Sequence, residues 1–336
     1  MSEMKAALQH RHGGPEVLAI ADLAAPQPGA NEVLVRVKAA AVNRLDYLQL
    51  GRPILPGFRL PHIGGLDFAG DVIATGPNVD GYDLGTRVVV DPQVVSGTGR
   101  EVPVVLGGNS AGGFAELCVV PTTNLYRLGD AMPYHEAAAL PTAYATAWRA
   151  LFGTGGLRSG QWLLIHGAGS ALTLAALQLA AGKGAHVIIS GRGRAKLDRA
   201  ERLGATVTAD SITDDTTRVV REATNGQGVD LVFDHVGATT LATSLHSLRP
   251  GGTLVVAGNT SGDHAQLPSL AALFHKGISI KGAGPYSRGD FAAALDTYQA
   301  LSCIPVIDTV GTLKDLPTMY ERLSNGRTNG KLLITP

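Results

Sequence analysis

The residues best suited to chemistry lie close together, where the glycine turn Gly167-Ala168-Gly169 is followed by the cationic run Arg192-Gly193-Arg194-Ala195-Lys196. Gly167 and Gly169 have no Cβ, so the turn can be tight. A pyrophosphate can then approach the amides that open the next helix, at Ser170, Ala171 and Leu172. These glycines fill the first two positions of a dinucleotide fingerprint, and around the third, where helix and strand press together, the chain offers Ala171 or Thr173 and no glycine. An ordinary strand-to-helix turn could carry the same two glycines. The end of the second strand decides more. A carboxylate about 20 residues beyond the glycines would bind a ribose 2′-hydroxyl. Here Ser190 and Gly191 lead into three cations and no acid. Guanidinium forks bind a 2′-phosphate that a carboxylate would repel, so NADPH is the expected cofactor and a solvated basic turn the competing reading.

These groups need a strand, a crossover helix and a parallel strand to hold them. Residues 162–165 form an apolar run, residues 170–183 carry Leu172, Ala176, Leu179 and Ala180 at helical spacing, and residues 187–189 are apolar again. The alternation continues with strands near 206, 230 and 253, the second running into Val236 and the third ending before Gly258 and Asn259. The pattern predicts a doubly wound parallel sheet of the α/β class. Residues 1–91 instead read as short strands punctuated by turns, at 33–37, 70–74 and 87–90 among others, which predicts a β-rich, barrel-like domain. Residues 92–113 form a long Gly/Val/Ser connection, functional or a lost insertion. One helical stretch is expected over 134–151, a helix over 290–301 and a final strand over 331–335.

Composition narrows the partners. The chain has 336 residues, so two domains are expected. Lys plus Arg and Asp plus Glu are both 28, which speaks against general binding to nucleic acid or an acidic membrane. Cys118 and Cys303 show no pairing pattern, fit a reducing cytoplasm, and read as small core residues. No secretory leader or membrane-spanning run is evident.

With these parts in order, the chain resembles the medium-chain dehydrogenase/reductases, in particular their zinc-independent quinone oxidoreductase and enoyl reductase branch. The resemblance is carried by GGPEVLAI (13–20), AAAVNRLDY (39–47), PHIGGLDFAG (61–70), GTRVVV (85–90), GGFAEL (112–117), LPTAYATAW (140–148), the strand–helix–strand unit, FDHVG (233–237), LRPGGTLVVAG (248–258) and NGKLLITP (329–336). It implies a GroES-like β-barrel catalytic domain over 1–138 and 284–336, a Rossmann NADP(H)-binding domain over 139–283, and a homodimer paired through the last strand of the open sheet, near 278–281.

The resemblance also implies roles. Zinc-dependent members have a cysteine where this chain has Asn43 and a Gly-His-Glu where it has Gly65-Leu66-Asp67, and their four-cysteine loop falls on 92–113, which contains no cysteine. No metal is therefore expected, although His62 near Asp67 leaves a novel ligand set conceivable. Without a Lewis acid the chemistry tilts toward reducing a conjugated acceptor such as a quinone, an enone or an enoyl thioester. Asn43 and Asp46 match a polar pair near the nicotinamide. Tyr47, directly after the aspartate, departs from the family's tyrosine positions, and Tyr286 in GAGPYSR (282–288) is the other candidate proton donor. Thr142, Gly258, Asn259, Arg327, Asn329 and Lys331 match cofactor-contacting segments, and His166 reads as a strand-end residue. Another reduction, a redox-neutral cyclisation, or cofactor binding with little catalysis stand as alternatives.

Overall fold

Valine-rich alternation builds the first half of the chain. In the strand Glu32–Ala41, Val33, Val35 and Val37 point into the core while Arg36 is exposed, as a half-buried strand requires. A computed structural model describes residues 3–94 and 103–336. It divides the chain into two units, Met1–Thr142 with Ile307–Pro336, and Ala143–Val306. The chain thus leaves and re-enters the first unit later than the expected crossings at 138/139 and 283/284. The helix Arg288–Ala300 stays with the second unit, where Tyr298 meets Tyr144 edge-on at 5.3 Å and Asp290 faces Arg149 at 3.7 Å.

In the first unit Glu32–Ala41 is the hub. It pairs antiparallel with Asp67–Thr75, Leu117–Pro121 and Lys331–Thr335, and the last of these pairs in parallel with Ile307–Thr312. A separate sheet joins Leu18–Ala24, Glu3–Gln9 and His62–Ile63. Phe68, Phe114, Val35, Val72, Val88 and Ile334 fill the core these sheets enclose. Of the connection expected over 92–113, residues 95–102 lie outside the described residues. Beside them Gln93–Val94 pairs with Val104–Val105.

The second unit is a parallel sheet in the order Val207–Asp210, His186–Gly191, Trp162–His166, Val229–Asp234, Leu248–Val256, Ser279–Gly282. The order reverses at Trp162–His166, the first strand of the unit. Ligands of open α/β sheets bind beyond the carboxyl ends of strands at such a switch point. Ser279–Gly282 lies at the edge, exposed along its length. The helical stretch expected over 134–151 is broken instead. Tyr134–Ala138 stops, Pro141–Trp148 begins with the proline at its start, and a π-helical turn follows over Arg149–Thr154. Proline has no N–H to continue the earlier helix, which accounts for the break.

Candidate active site

In the first unit, four segments far apart in the chain converge on one buried ion pair. Lys331 opens its strand with 4% of its side chain exposed, and its Nζ lies 2.8 Å from Oδ2 of Asp67, which is fully buried. The same ammonium donates to Asn43 Oδ1 at 2.6 Å. Thr142 donates its backbone N–H to Asp67 Oδ1 at 3.1 Å, and its hydroxyl lies 2.6 Å from Asp67 Oδ2 and 2.7 Å from Asn43 Oδ1. One hydroxyl carries one proton and can serve only one of those oxygens at a time.

The ammonium also fixes which way the Asn43 amide faces. A cation tolerates the carbonyl oxygen and not the NH2 group, so Nδ2 points away from Lys331. Among the described residues Nδ2 reaches only Ala41 O, at 3.4 Å. A half-buried amide donor thereby stands beside a buried charge pair.

Asp46 supports this group from behind. It is the third residue of the helix Arg44–Gly51, and its carboxylate accepts the N–H of Asn43 at 2.7 Å and that of Gly65 at 3.0 Å. Gly65 has φ +96°, a left-handed conformation, and a Cβ there would meet the backbone nitrogen of Phe114 at 2.6 Å. The carboxylate thus ties the start of the helix to the turn that delivers Asp67. Burial pushes its pKa up to about 7. The bonds from Asn43 and Gly65 oppose the rise, Asp67 adds to it, and Lys331 opposes it. Tyr47 stands apart from the cluster, its ring 6.1 Å from that of buried Tyr320. His62 does not turn to Asp67; its Nε2 contacts Gly107 O at 3.0 Å and its ring lies 4.7 Å from Phe58. Asn329 has its backbone N–H on Asp308 Oδ2 at 2.7 Å, and Arg327 is exposed.

The second unit carries the glycine turn at its switch point. Ser170 caps the helix Ala171–Gly182, its hydroxyl accepting from Thr173 N at 3.1 Å. Leu172 is half-buried in the first turn, whereas Thr173 is fully buried and its hydroxyl donates back to Gly167 O. Counted from Gly169, the third position of the fingerprint is Leu172, and the residue buried against the turn is its neighbour Thr173. Gly167 has φ +93°, and at Gly191 a Cβ would lie 2.7 Å from Ala168 N. The turn and the end of the next strand therefore meet backbone to backbone.

Ser190 is buried at the end of that strand, with Oγ 2.8 Å from His166 Nδ1. Burial holds the His166 imidazole below its ordinary pKa; nearby Asp234 opposes this and His235 reinforces it. Arg192 and Arg194 are exposed, and Lys196 is partly so. Arg194 pairs with Asp198 at 2.6 Å and Glu201 at 3.4 Å. Val236 donates its N–H to Asp234 Oδ1 at 2.8 Å, and Asn259 bonds Asp263 at 2.8 Å. A Cβ at Gly258 would meet His235 O at 2.8 Å, so the loops after these two neighbouring strands lie against each other. Tyr286 is buried 6.2 Å from the ring of Phe291. The candidates thus fall into a polar group of Asn43, Asp46, Thr142 and Lys331 in one unit and the residues around the glycine turn in the other.

Comparisons with known proteins match both halves. Residues 29–130 fit the family described as alcohol dehydrogenase GroES-like domain, and residues 171–300 that described as zinc-binding dehydrogenase. A probable quinone oxidoreductase of Schizosaccharomyces pombe is 31% identical over 96% of this chain and 94% of its own. The chain belongs to the medium-chain dehydrogenase/reductase superfamily, in its quinone oxidoreductase-like branch. An acryloyl-coenzyme A reductase of Sulfurisphaera tokodaii is 28% identical over 93% of this chain and 94% of its own. A crystal structure described as an NAD-dependent alcohol dehydrogenase superposes with TM-score 0.93 at 33% identity, covering 99% of both chains. Members of this superfamily bind a nicotinamide cofactor.

Two signals were missing from the sequence. Asp67 marks a position without a metal ligand beside it, yet its partner Lys331 lies 264 positions away. His235 stands within the FDHVG run (233–237), but nothing in that run announces that its ring meets the glycine turn.

Proposed function

We propose that this chain is an oxidoreductase that uses NADPH to reduce a conjugated acceptor, a quinone, an enone or an enoyl thioester, without a metal. The observation that carries the reading is the Asn43 amide, whose oxygen is held by Lys331 and Thr142 so that its N–H lies on the side away from them. A bound nicotinamide supplies the hydride. As charge arrives on the acceptor oxygen, the Asn43 N–H stabilises it, a donor aimed where charge develops. Lys331 and Asp67 hold the amide in place, and Asp46 fixes the helix that carries it. In a conjugated acceptor the charge is delocalised, so such a donor and one proton suffice.

The donor set supports the metal-free part. Zinc prefers thiolate and imidazole. Here a lysine ammonium already lies against Asn43 and Asp67, Leu66 is apolar, and no group of three or more candidate ligands exists among the described residues. The cofactor part rests on Arg192, Arg194 and Lys196. Arg194's pairs are exposed and worth less than about 1 kcal/mol, so a 2′-phosphate of nearly two charges outcompetes them. The relatives named for a quinone and for acryloyl-coenzyme A favour conjugated acceptors. The exposed edge Ser279–Gly282 suits pairing with a second copy, and unpaired Cys118 and Cys303 suit a cytoplasmic setting.

The test is NADPH oxidation by purified protein against a panel of quinones, enones and enoyl thioesters. Turnover with at least one class is expected, and Asn43→Ala should lower kcat about 10²-fold. No turnover with any acceptor, or unchanged kcat in Asn43→Ala, overturns the reading.

A further inference from the structure

We propose that His235 is a cofactor ligand that donates its Nε2–H to the nicotinamide-side phosphate of the dinucleotide. The inference rests on the cofactor reading above and adds a residue to it. His235 directly follows the strand Val229–Asp234, and its imidazole lies over the glycine turn. Its Nε2 is 3.1 Å from where a Cβ of Gly167 would be, so the missing side chain leaves room that this ring borders. The same nitrogen is 3.2 Å from Ser170 Oγ, the cap of the helix whose first amides face a phosphate.

All the hydroxyl contacts of Ser170 are hydrogen bonds at once in a single arrangement of protons, and that arrangement sets the direction of the contact with His235. The Thr173 hydroxyl donates to Gly167 O, so the Ser170 hydroxyl, 3.0 Å from Thr173 Oγ1 and already accepting from Thr173 N, donates toward Thr173. The remaining lone pair of Ser170 Oγ accepts, which makes His235 Nε2 the donor. A neutral hydroxyl is a weaker acceptor than a phosphate oxygen. The N–H therefore has an exchangeable partner at the seat and a better one when the cofactor is bound.

Sheet order identifies the phosphate. The strand His186–Gly191, which leads to Arg192, pairs on one side of Trp162–His166, and Val229–Asp234 pairs on the other. With the adenosine end on the Arg192 side, a ring arriving from Val229–Asp234 meets the pyrophosphate from the nicotinamide side.

Two ligands separate this contact from the rest of the seat, read by calorimetry on the full chain. NADPH carries both phosphates of the pyrophosphate, whereas 2′,5′-ADP ends at the adenosine-side phosphate. His235→Ala should weaken NADPH roughly tenfold or more, the scale of a hydrogen bond to a charged group, and leave 2′,5′-ADP within about twofold. His235→Leu, which keeps bulk without a donor, should match it, and His235→Gln, which restores an N–H, should recover most of the loss. Unchanged NADPH affinity in the Ala and Leu variants overturns the inference alone. An equal loss for both ligands also overturns it, because His235 would then act through the shape of the turn. Wild-type protein that binds neither NADPH nor NADH takes the cofactor reading down with it.

Discussion

The glycine turn and the Lys331–Asp67 pair are both electrostatic devices, yet they are built in opposite ways. The turn is half-buried and assembled over a short run of chain. Its charges at Arg192 and Arg194 stand in solvent, where they are individually cheap and individually weak. The ion pair is closed from water, and its members are brought together only by the finished sheet. Exposed charges wait for a ligand, whereas buried charges must satisfy each other before any ligand arrives.

That contrast breaks most readily at Lys331. Removing one partner of a buried pair leaves an uncompensated charge, and Lys331→Met should destabilise the chain by about 3 to 5 kcal/mol in urea unfolding. Pairing it with Asp67→Leu should restore a good part of the loss, because the stranded carboxylate is then gone. A single-variant loss below about 1 kcal/mol would mean that water reaches Asp67, and the pair would belong with the surface charges.

The exposed side gives smaller, ligand-dependent effects. Arg192→Ala should cost about 1 to 3 kcal/mol of NADPH binding and leave NADH nearly unchanged, with no loss of stability. Arg194→Ala should cost less, since Arg194 leaves Asp198 and Glu201 to reach a phosphate. Equal wild-type dissociation constants for the two cofactors would remove the basis for both expectations.

The same contrast explains what could be read from the chain. Gly167, Ser190 and the cations after it are neighbours in sequence, so their geometry follows from one strand–helix–strand unit. The parallel sheet beyond that unit followed from the alternation of apolar runs, but its strand order did not. Asn43, Asp67 and Thr142 were legible as positions through resemblance, but their geometry was not, because Thr142 reaches Asp67 across 75 positions and Lys331 reaches it across 264. Lys331 read as a cofactor contact through resemblance, with a solvated turn as the competing reading, because nothing near it in the chain announces a buried partner. Only the register that pairs Leu333 with Ala41 buries it. The break at Pro141 was missed for another reason: residues on either side favour helix, and the proline only moves the start.

Asp46 lies between the two extremes, buried like Asp67 but held by backbone N–H groups. Its pKa in the folded chain, about 7, exceeds the ordinary value of 3.8, so the folded state keeps its proton longer than the unfolded chain does. The resulting stability is fully present below about pH 4 and is lost as pH rises through about 7. One such group gives a slope of at most about 1.4 kcal/mol per pH unit. Asp46→Asn, which cannot titrate, should flatten the pH dependence of unfolding between about pH 4 and 7 by that share. An identical slope in the variant would show that the backbone bonds from Asn43 and Gly65 keep Asp46 ionised.

The smallest effect is expected where a polar atom belongs to neither device. Tyr47 directs its ring at Tyr320, whose own hydroxyl burial holds well above its usual pKa, with the Asp46 charge adding to the shift. Both rings pack into the first unit's core, so what Tyr47 contributes there is shape. Tyr47→Phe keeps that shape, and kcat should change by less than about twofold, well short of the 10²- to 10⁴-fold that general acid catalysis supplies. Tyr286→Phe is the companion measurement, because its ring is also packed, against Phe291, while its hydroxyl is the remaining phenol among the candidates. Deuterated cofactor must first show that hydride transfer limits the rate, since a slow product release would hide either loss. A fall of about tenfold in Tyr286→Phe alone, with NADPH affinity intact, assigns the proton to that phenol. The same fall in Tyr47→Phe would overturn the packing argument, and no fall in either leaves water as the donor, with the Asn43 amide carrying the charge stabilisation.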